Sequence, residues 1–233
     1  MSAHKWEFSS RFRRKAFGWR SQVPMKRIKE ALAEIKKVAR KDPELAAEGA
    51  VLFLEKISPS LANVDSSSGA LGGAVNYAIK ILVPIISKAK VPQKKRQAWI
   101  SRLWAAIEED NIPYIEYLEE FFGELCATPE IASQWADNFI DLVRHIWSPE
   151  VTGFNFYKGT TPCLSALLFA KRYDELLTLL AMKPRKWWYD SRFGVDALIA
   201  QGKYKEALAY AEDSRGLNSP NIQISQKCEE ILF

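Results

Sequence analysis

Paired carboxylates are the first residues in this chain that could do chemistry. Glu108, Glu109, Asp110, Glu116, Glu119, Glu120 and Glu124 crowd one stretch. Two carboxylates facing each other in a cleft can divide general acid and base work between them. The same acids also suit the wet face of amphipathic helices, and that is the role expected of them. Metal and thiol chemistry has less support. Cys126, Cys163 and Cys228 stand singly, no Cys-x-x-Cys pair occurs, and the only histidines are His4 and His145. No zinc or disulfide spacing results, so reduced, buried thiols are expected. The segment Asp65-Ser66-Ser67-Ser68-Gly69-Ala70-Leu71-Gly72-Gly73-Ala74 could cradle a phosphate at a helix N-terminus. It lacks the Lys-Ser/Thr that follows a P-loop and no strand precedes it, so it reads as a cap leading into a helix with a small face. No catalytic set, cofactor motif or metal site is expected, and the chain reads as non-enzymatic.

Two basic, aromatic runs could bind rather than react. In the first, Arg11-Phe12-Arg13-Arg14-Lys15-Ala16-Phe17-Gly18-Trp19-Arg20, the cations Arg11, Arg13, Arg14, Lys15 and Arg20 can neutralise phosphates while Trp19 stacks a base. Alternatively, Phe12, Phe17 and Trp19 dock on the first helices and the cations stay solvated. The second run, Lys183-Pro184-Arg185-Lys186-Trp187-Trp188-Tyr189, sets three cations beside three consecutive rings. Successive helical residues point in different directions, so the three rings cannot all face one core. On one reading Trp187 and Trp188 plug a seam between helical hairpins. On the other, Arg185, Lys186, Trp187, Trp188 and Tyr189 form a protein-binding hot spot, for which Trp, Tyr and Arg are the enriched types. A weaker hint is Lys94-Lys95-Arg96, which sits after Pro92 where the helix dipole disfavours cations.

The elements that must carry these residues read as helices throughout. Ile28, Leu32, Ile35 and Val38 make one apolar stripe after Pro24, with Lys26, Lys29, Lys36, Lys37 and Arg40 around the rest. Asp42-Pro43 and Thr128-Pro129 are cap-then-proline starts. The second helix is expected to stop before Pro59, and the helix after the glycines to break near Val83, because proline lacks an N–H and clashes with the preceding turn. The longest interruption, residues 148–159, marks a boundary.

Beyond it, residues 166–177 and 197–208 repeat at a constant offset of 31: Ala166 with Ala197, Tyr173 with Tyr204, Glu175 with Glu206, Leu177 with Leu208. Such an offset is the mark of stacked helical hairpins.

Charge is unevenly spread. Residues 1–41 hold 13 Lys/Arg against Glu7, Glu30 and Glu34, a balance of +10, and the remainder hold 20 against 25, a balance of −5. The longest apolar run, residues 79–86, contains Lys80 and Pro84 and falls short of the roughly 18 residues of a membrane span. Residues 1–22 carry charges throughout and show no secretory leader. A cytoplasmic protein without a membrane partner is expected.

The repeated pattern, small-x-x-x-Gln/Lys-Gly/Arg-Lys/Arg-Tyr-x-Glu-Ala/Leu-Leu, resembles the inter-helix turn of tetratricopeptide repeats. It covers two units from residue 160 on, with no Trp in the first helix and a shorter period than that family uses. Residues 11–20 (RFRRKAFGWR), 65–76 (DSSSGALGGAVN) and 211–232 (AEDSRGLNSPNIQISQKCEEIL) resemble a family of bacterial helical proteins of unknown function, across nearly the whole chain. That resemblance brings no activity, cofactor or catalytic residue. It implies a chain continuing past this segment, and the apolar ending at Ile231, Leu232 and Phe233 without a polar capping face is expected either to pack inward, to be covered by another molecule, or to belong to a longer solenoid.

The expected architecture is therefore all-α: an α-solenoid of about ten to twelve helices in a right-handed, tetratricopeptide- or HEAT-like stack. It comprises a basic aromatic arm (1–23), N-terminal helical hairpins (24–147) and tetratricopeptide-like repeats (160–233). The expected function is a non-enzymatic scaffold or protein-binding module, with phosphate-backbone binding through the arm as the alternative.

Overall fold

The computed structural model describes residues 4–151, 156–183, 186–217 and 219–232. Among them every regular element is helical, with eleven α-helices, two short 3-10 stretches and no strand. Arg185 and Phe233 lie outside the described residues, as does part of the 148–159 break. Packing divides the chain into two compact units, one of Met1–Phe121 with Leu125–Ala127, the other of Phe122–Glu124 with Thr128–Phe233.

In the first unit, α1 (Gln22–Ala39), α2 (Pro43–Ser60) and α3 (Ala70–Ser87) pack on one another, and α4 (Gln93–Glu108) lies on α2. The apolar stripe of α1 buries Ile28, Leu32 and Ile35. α2 starts where Asp42 accepts the Leu45 N–H at 2.9 Å, with Pro43 in the first turn. Both internal prolines are tolerated: α2 continues through Pro59 to Ser60, and α3 through Pro84 to Ser87. Each sits in the last turn, where its missing N–H breaks a single ladder bond and little helix remains to be disrupted. Because it is not broken at Pro84, α3 is also, by length and composition alone, apolar enough to cross a membrane. Its residues Leu71, Val75, Ile79, Leu82 and Ile86 are buried in the unit.

The N-terminal arm is part of this core. Phe8 and Phe12 meet the α2 residue Phe53 at ring-centroid distances of 5.7 and 5.1 Å, and Phe17 packs on Phe12 at 5.4 Å. Backbone bonds pin the arm at both ends. Glu34 on α1 accepts the N–H groups of Glu7 and Phe8 at 2.8 and 3.1 Å, and Lys15 N–H donates to the Pro59 carbonyl at 2.9 Å.

The second unit runs through α6 (Pro129–Ile146), α7 (Thr160–Phe169), α8 (Tyr173–Ala181), α9 (Trp188–Ala200), α10 (Tyr204–Glu212) and α11 (Asn221–Leu232), while the short α5 (Phe122–Cys126) is shared between the units. Within it each helix from α6 to α11 packs on its successor, and α7 also touches α9. α6 is capped as its sequence suggests, with Thr128 accepting the Ile131 N–H at 3.4 Å. The exposed residues of α11 mix the polar Gln223, Gln226, Glu229 and Glu230 with the apolar Ile222 and Leu232, 77% and 62% exposed, while Ile224 and Cys228 turn inward.

The sequence offset of 31 is reproduced in the backbone of two turns. After α7, Lys171 adopts a left-handed φ of 60°. Its N–H reaches the Leu168 carbonyl and the Arg172 N–H reaches the Leu167 carbonyl, at 3.1 and 3.0 Å. After α9, Gly202 has φ 74°, and the bonds are Gly202 to Ile199 and Lys203 to Leu198, both at 2.9 Å. These paired bonds satisfy the last free carbonyls of each first helix. Glycine enters this region without steric cost, whereas an L side chain is strained there by about 1–2 kcal/mol. Lys171→Gly is therefore expected to stabilise the second unit by about 0.5–1 kcal/mol, after allowing for glycine's looser unfolded state. A urea melt should show the midpoint rising with an unchanged slope, and a falling midpoint would refute the strain argument.

Candidate binding surfaces

The structure separates the basic clusters into those that build the fold and those that face solvent. Two of the trio at the start of α4, Lys95 and Arg96, belong to the fold, while Lys94 is exposed. Lys95 pairs with Glu44 at 2.8 Å. Arg96 is only 3% exposed, and its guanidinium closes the C-terminal end of α3. It donates to the carbonyls of Ile86 (2.6 Å) and Leu125 (3.5 Å) through Nη1, and of Ser87 (3.4 Å) and Ala89 (2.6 Å) through Nη2. The helix C-terminus supplies the negative pole that this cation complements. Burial lowers the Arg96 pKa from its ordinary value and pushes the neighbouring Cys126 thiol up to about 12, so that sulfur stays neutral. Arg96, at the start of α4, thus serves the end of α3.

The arm divides in the same way. Phe12 and Phe17 are buried, whereas Trp19 is 72% exposed, its carbonyl taking the Asp65 N–H at 2.9 Å. The expected docking therefore holds for two rings and not for the third. Arg11 is occupied by Glu30 at 2.9 Å and Glu7 at 3.9 Å, and Arg13 Nε donates to the Ser10 carbonyl at 3.0 Å. Arg14 stands at a cavity of about 300 Å³ with Glu55, Ser58, Glu109 and Asn111 among its walls. Lys15 and Arg20 are exposed.

At the start of α9 the three rings part company. Trp188 is 5% exposed and packs in a cluster with Val195, Leu198, Ala207, Ala211, Ile224 and Cys228. Trp187 immediately precedes α9 in an extended conformation, and its carbonyl takes the N–H groups of Asp190 and Ser191 at 3.0 and 2.9 Å. Its ring is 52% exposed, and that of Tyr189 is 60% exposed. One buried indole thus fixes the helix and turns its two neighbours outward.

Among the described residues, two cations of this run, Lys183 and Lys186, are neutralised inside the unit. Lys186 pairs with Asp213 just after α10 and lies 5.7 Å from the Tyr210 ring centre. Lys183 pairs with Asp190 and stands 5.1 Å from the Trp147 ring. Burial pushes the Lys183 ammonium down to about 8 while the Asp190 carboxylate holds it, and it remains mostly charged at neutral pH. Among the described residues of the run, the exposed area is largely that of the Trp187 and Tyr189 rings.

Of the acids singled out in residues 108–124, Asp110 and Glu119 are buried, 6% and 7% exposed, and so leave the wet face expected of them. Asp110 is buried, taking the Ser58 hydroxyl and the Ile115 N–H, the latter at 2.8 Å. Glu109 lines the Arg14 cavity. Among the described residues no group of three His, Cys, Asp or Glu could hold a metal ion. No protein-family model, curated protein or solved structure matches the chain.

Proposed function

We propose that the chain is a non-enzymatic helical-repeat module that binds a protein or peptide partner through the aromatic pair Trp187 and Tyr189. The observation that carries this reading is the exposure of two large rings on either side of the buried Trp188. Exposed Trp and Tyr supply rigid contact area at low entropic cost and dominate binding hot spots. The internal pairing of Lys183 and Lys186 favours a partner engaged by apolar contact over one held by charge. The matched turns after α7 and α9 support a hairpin-repeat arrangement, and stacked hairpins commonly present such surfaces to extended peptides.

Peptides selected from a random display library on the immobilised full chain should bind with affinities that fall at least about tenfold in Trp187→Ala or Tyr189→Ala, the range of a hot-spot truncation. Tyr77→Ala, which removes an exposed ring from α3, should leave titration calorimetry unchanged. Peptides that bind the Trp187 and Tyr189 variants as tightly as the parent would count against this surface.

A further inference from the structure

α1 carries a row of cations that the core does not use and that form no ion pair among the described residues, although the charge of Lys26 helps to hold the Glu30 carboxyl below its ordinary pKa. Successive helical residues turn by about 100°, so Lys26, Lys29, Lys36, Lys37 and Arg40 fall within one arc of about 100° on the side opposite Ile28, Ala31 and Ile35. All five are exposed, and among the described residues none has an acid at ion-pair distance. At about 1.5 Å per residue the row is about 21 Å long.

The acids that could have neutralised it are committed elsewhere. Glu30 holds Arg11 and Arg27, and Glu34 holds the N–H groups of the arm. α3 contains no acid. The α2 glutamates Glu44, Glu48 and Glu55 all pair with α4, through Lys95 and Arg102. Five of the thirteen cations behind the +10 balance of residues 1–41 therefore stand on a surface that no acid of α2 or α3 pairs with.

We propose that this row is a docking surface for double-stranded nucleic acid, gripped by its phosphates without reading of bases. This goes beyond the partner surface on α9 and uses none of its residues. A duplex presents one charge per about 1.7 Å of axis, so a straight row of cations meets phosphates in any register. The row contains no large apolar side chain, because the apolar stripe of α1 is buried. A helix lying in a lipid surface needs that stripe turned outward, which disfavours a membrane as the occupant. No ring stands in the row either, whereas binders of single strands rely on stacking platforms.

The test is fluorescence anisotropy of the full chain with labelled 20-base-pair DNA and RNA duplexes, matched single strands and phosphatidylserine vesicles across a salt series. Five phosphate contacts predict a slope of log affinity on log salt of about −4.5, or a loss of about 500-fold between 50 and 200 mM, with little dependence on sequence. Replacing the five cations by glutamine should make the slope shallower by about 4, and the smaller Lys36→Gln, Lys37→Gln pair by about 2, with circular dichroism melts unchanged. The proposal is overturned if duplexes are not bound at 50 mM salt, or if the variants keep the parent slope. Tighter binding of single strands or of vesicles than of duplexes overturns it as well.

Discussion

Replacing Arg96 by alanine is expected to cost about 2–4 kcal/mol of stability, because buried carbonyls lose their charged donor. The substitution leaves the carbonyls of Ile86 and Ala89, each now held at 2.6 Å, without that donor at the closed end of α3, and weaker contacts to Ser87 and Leu125 go with them. A buried acceptor stripped of its donor costs about 1–3 kcal/mol. It also removes the stem that packs beside Trp99, whose ring centre lies 5.2 Å from the guanidinium carbon. Lysine restores the charge without the planar fork, so Arg96→Lys should recover only part of the loss. Urea unfolding followed by circular dichroism checks both variants. A loss below about 1 kcal/mol for alanine would mean that water satisfies these carbonyls equally well.

Phe12→Ala is expected to cost about 3–4 kcal/mol, as for a fully buried ring removed from a packed cluster. Its ring joins Phe8, Phe17 and Phe53, so its loss separates the arm from α2 as well as leaving a cavity. Undocking should be visible apart from the global loss. Protease sites at Arg13, Arg14 and Lys15 should open in Phe12→Ala at temperatures where α1 to α4 remain folded by circular dichroism. Trp19→Ala serves as the contrast, since that ring is outside the core and its removal should change stability by less than about 0.5 kcal/mol. Equal losses for the two variants would contradict the division of the arm into docked and exposed rings.

Local signals in the sequence translate directly into structure where the physics is local. Asp42-Pro43 and Thr128-Pro129 begin helices because a side-chain oxygen and a fixed φ act within one turn. The repeat at offset 31 yields the same two carbonyl-closing bonds after α7 and α9, with α8 and α10 beginning at the tyrosines that mark it. Features that depended on distant partners were not legible. By the dipole rule Arg96 is misplaced at its own helix terminus until the end of α3 is brought against it, and backbone carbonyls leave no mark in a residue pattern. The rings of residues 187–189 could not be sorted from spacing, because which of them enters the core depends on where the helix begins and what α10 and α11 place beneath it. Pro59 and Pro84 looked like helix ends, but their harm depends on how many residues of helix follow them, which is set by packing. The one-sided row on α1 was latent in the spacing of its lysines. What the spacing could not reveal was that the nearby glutamates are spent on the arm, on Arg27 and on α4.

The most direct test of partner binding at α9 is a fluorine NMR titration of the full chain labelled with 5-fluorotryptophan, using a selected peptide and assigning each signal by single Trp→Phe substitution. The Trp187 resonance is expected to shift on peptide addition, that of the buried Trp188 to move far less, and that of Trp19 on the other unit to stay in place. A peptide that binds while the Trp187 signal is unmoved would contradict the assignment of this surface.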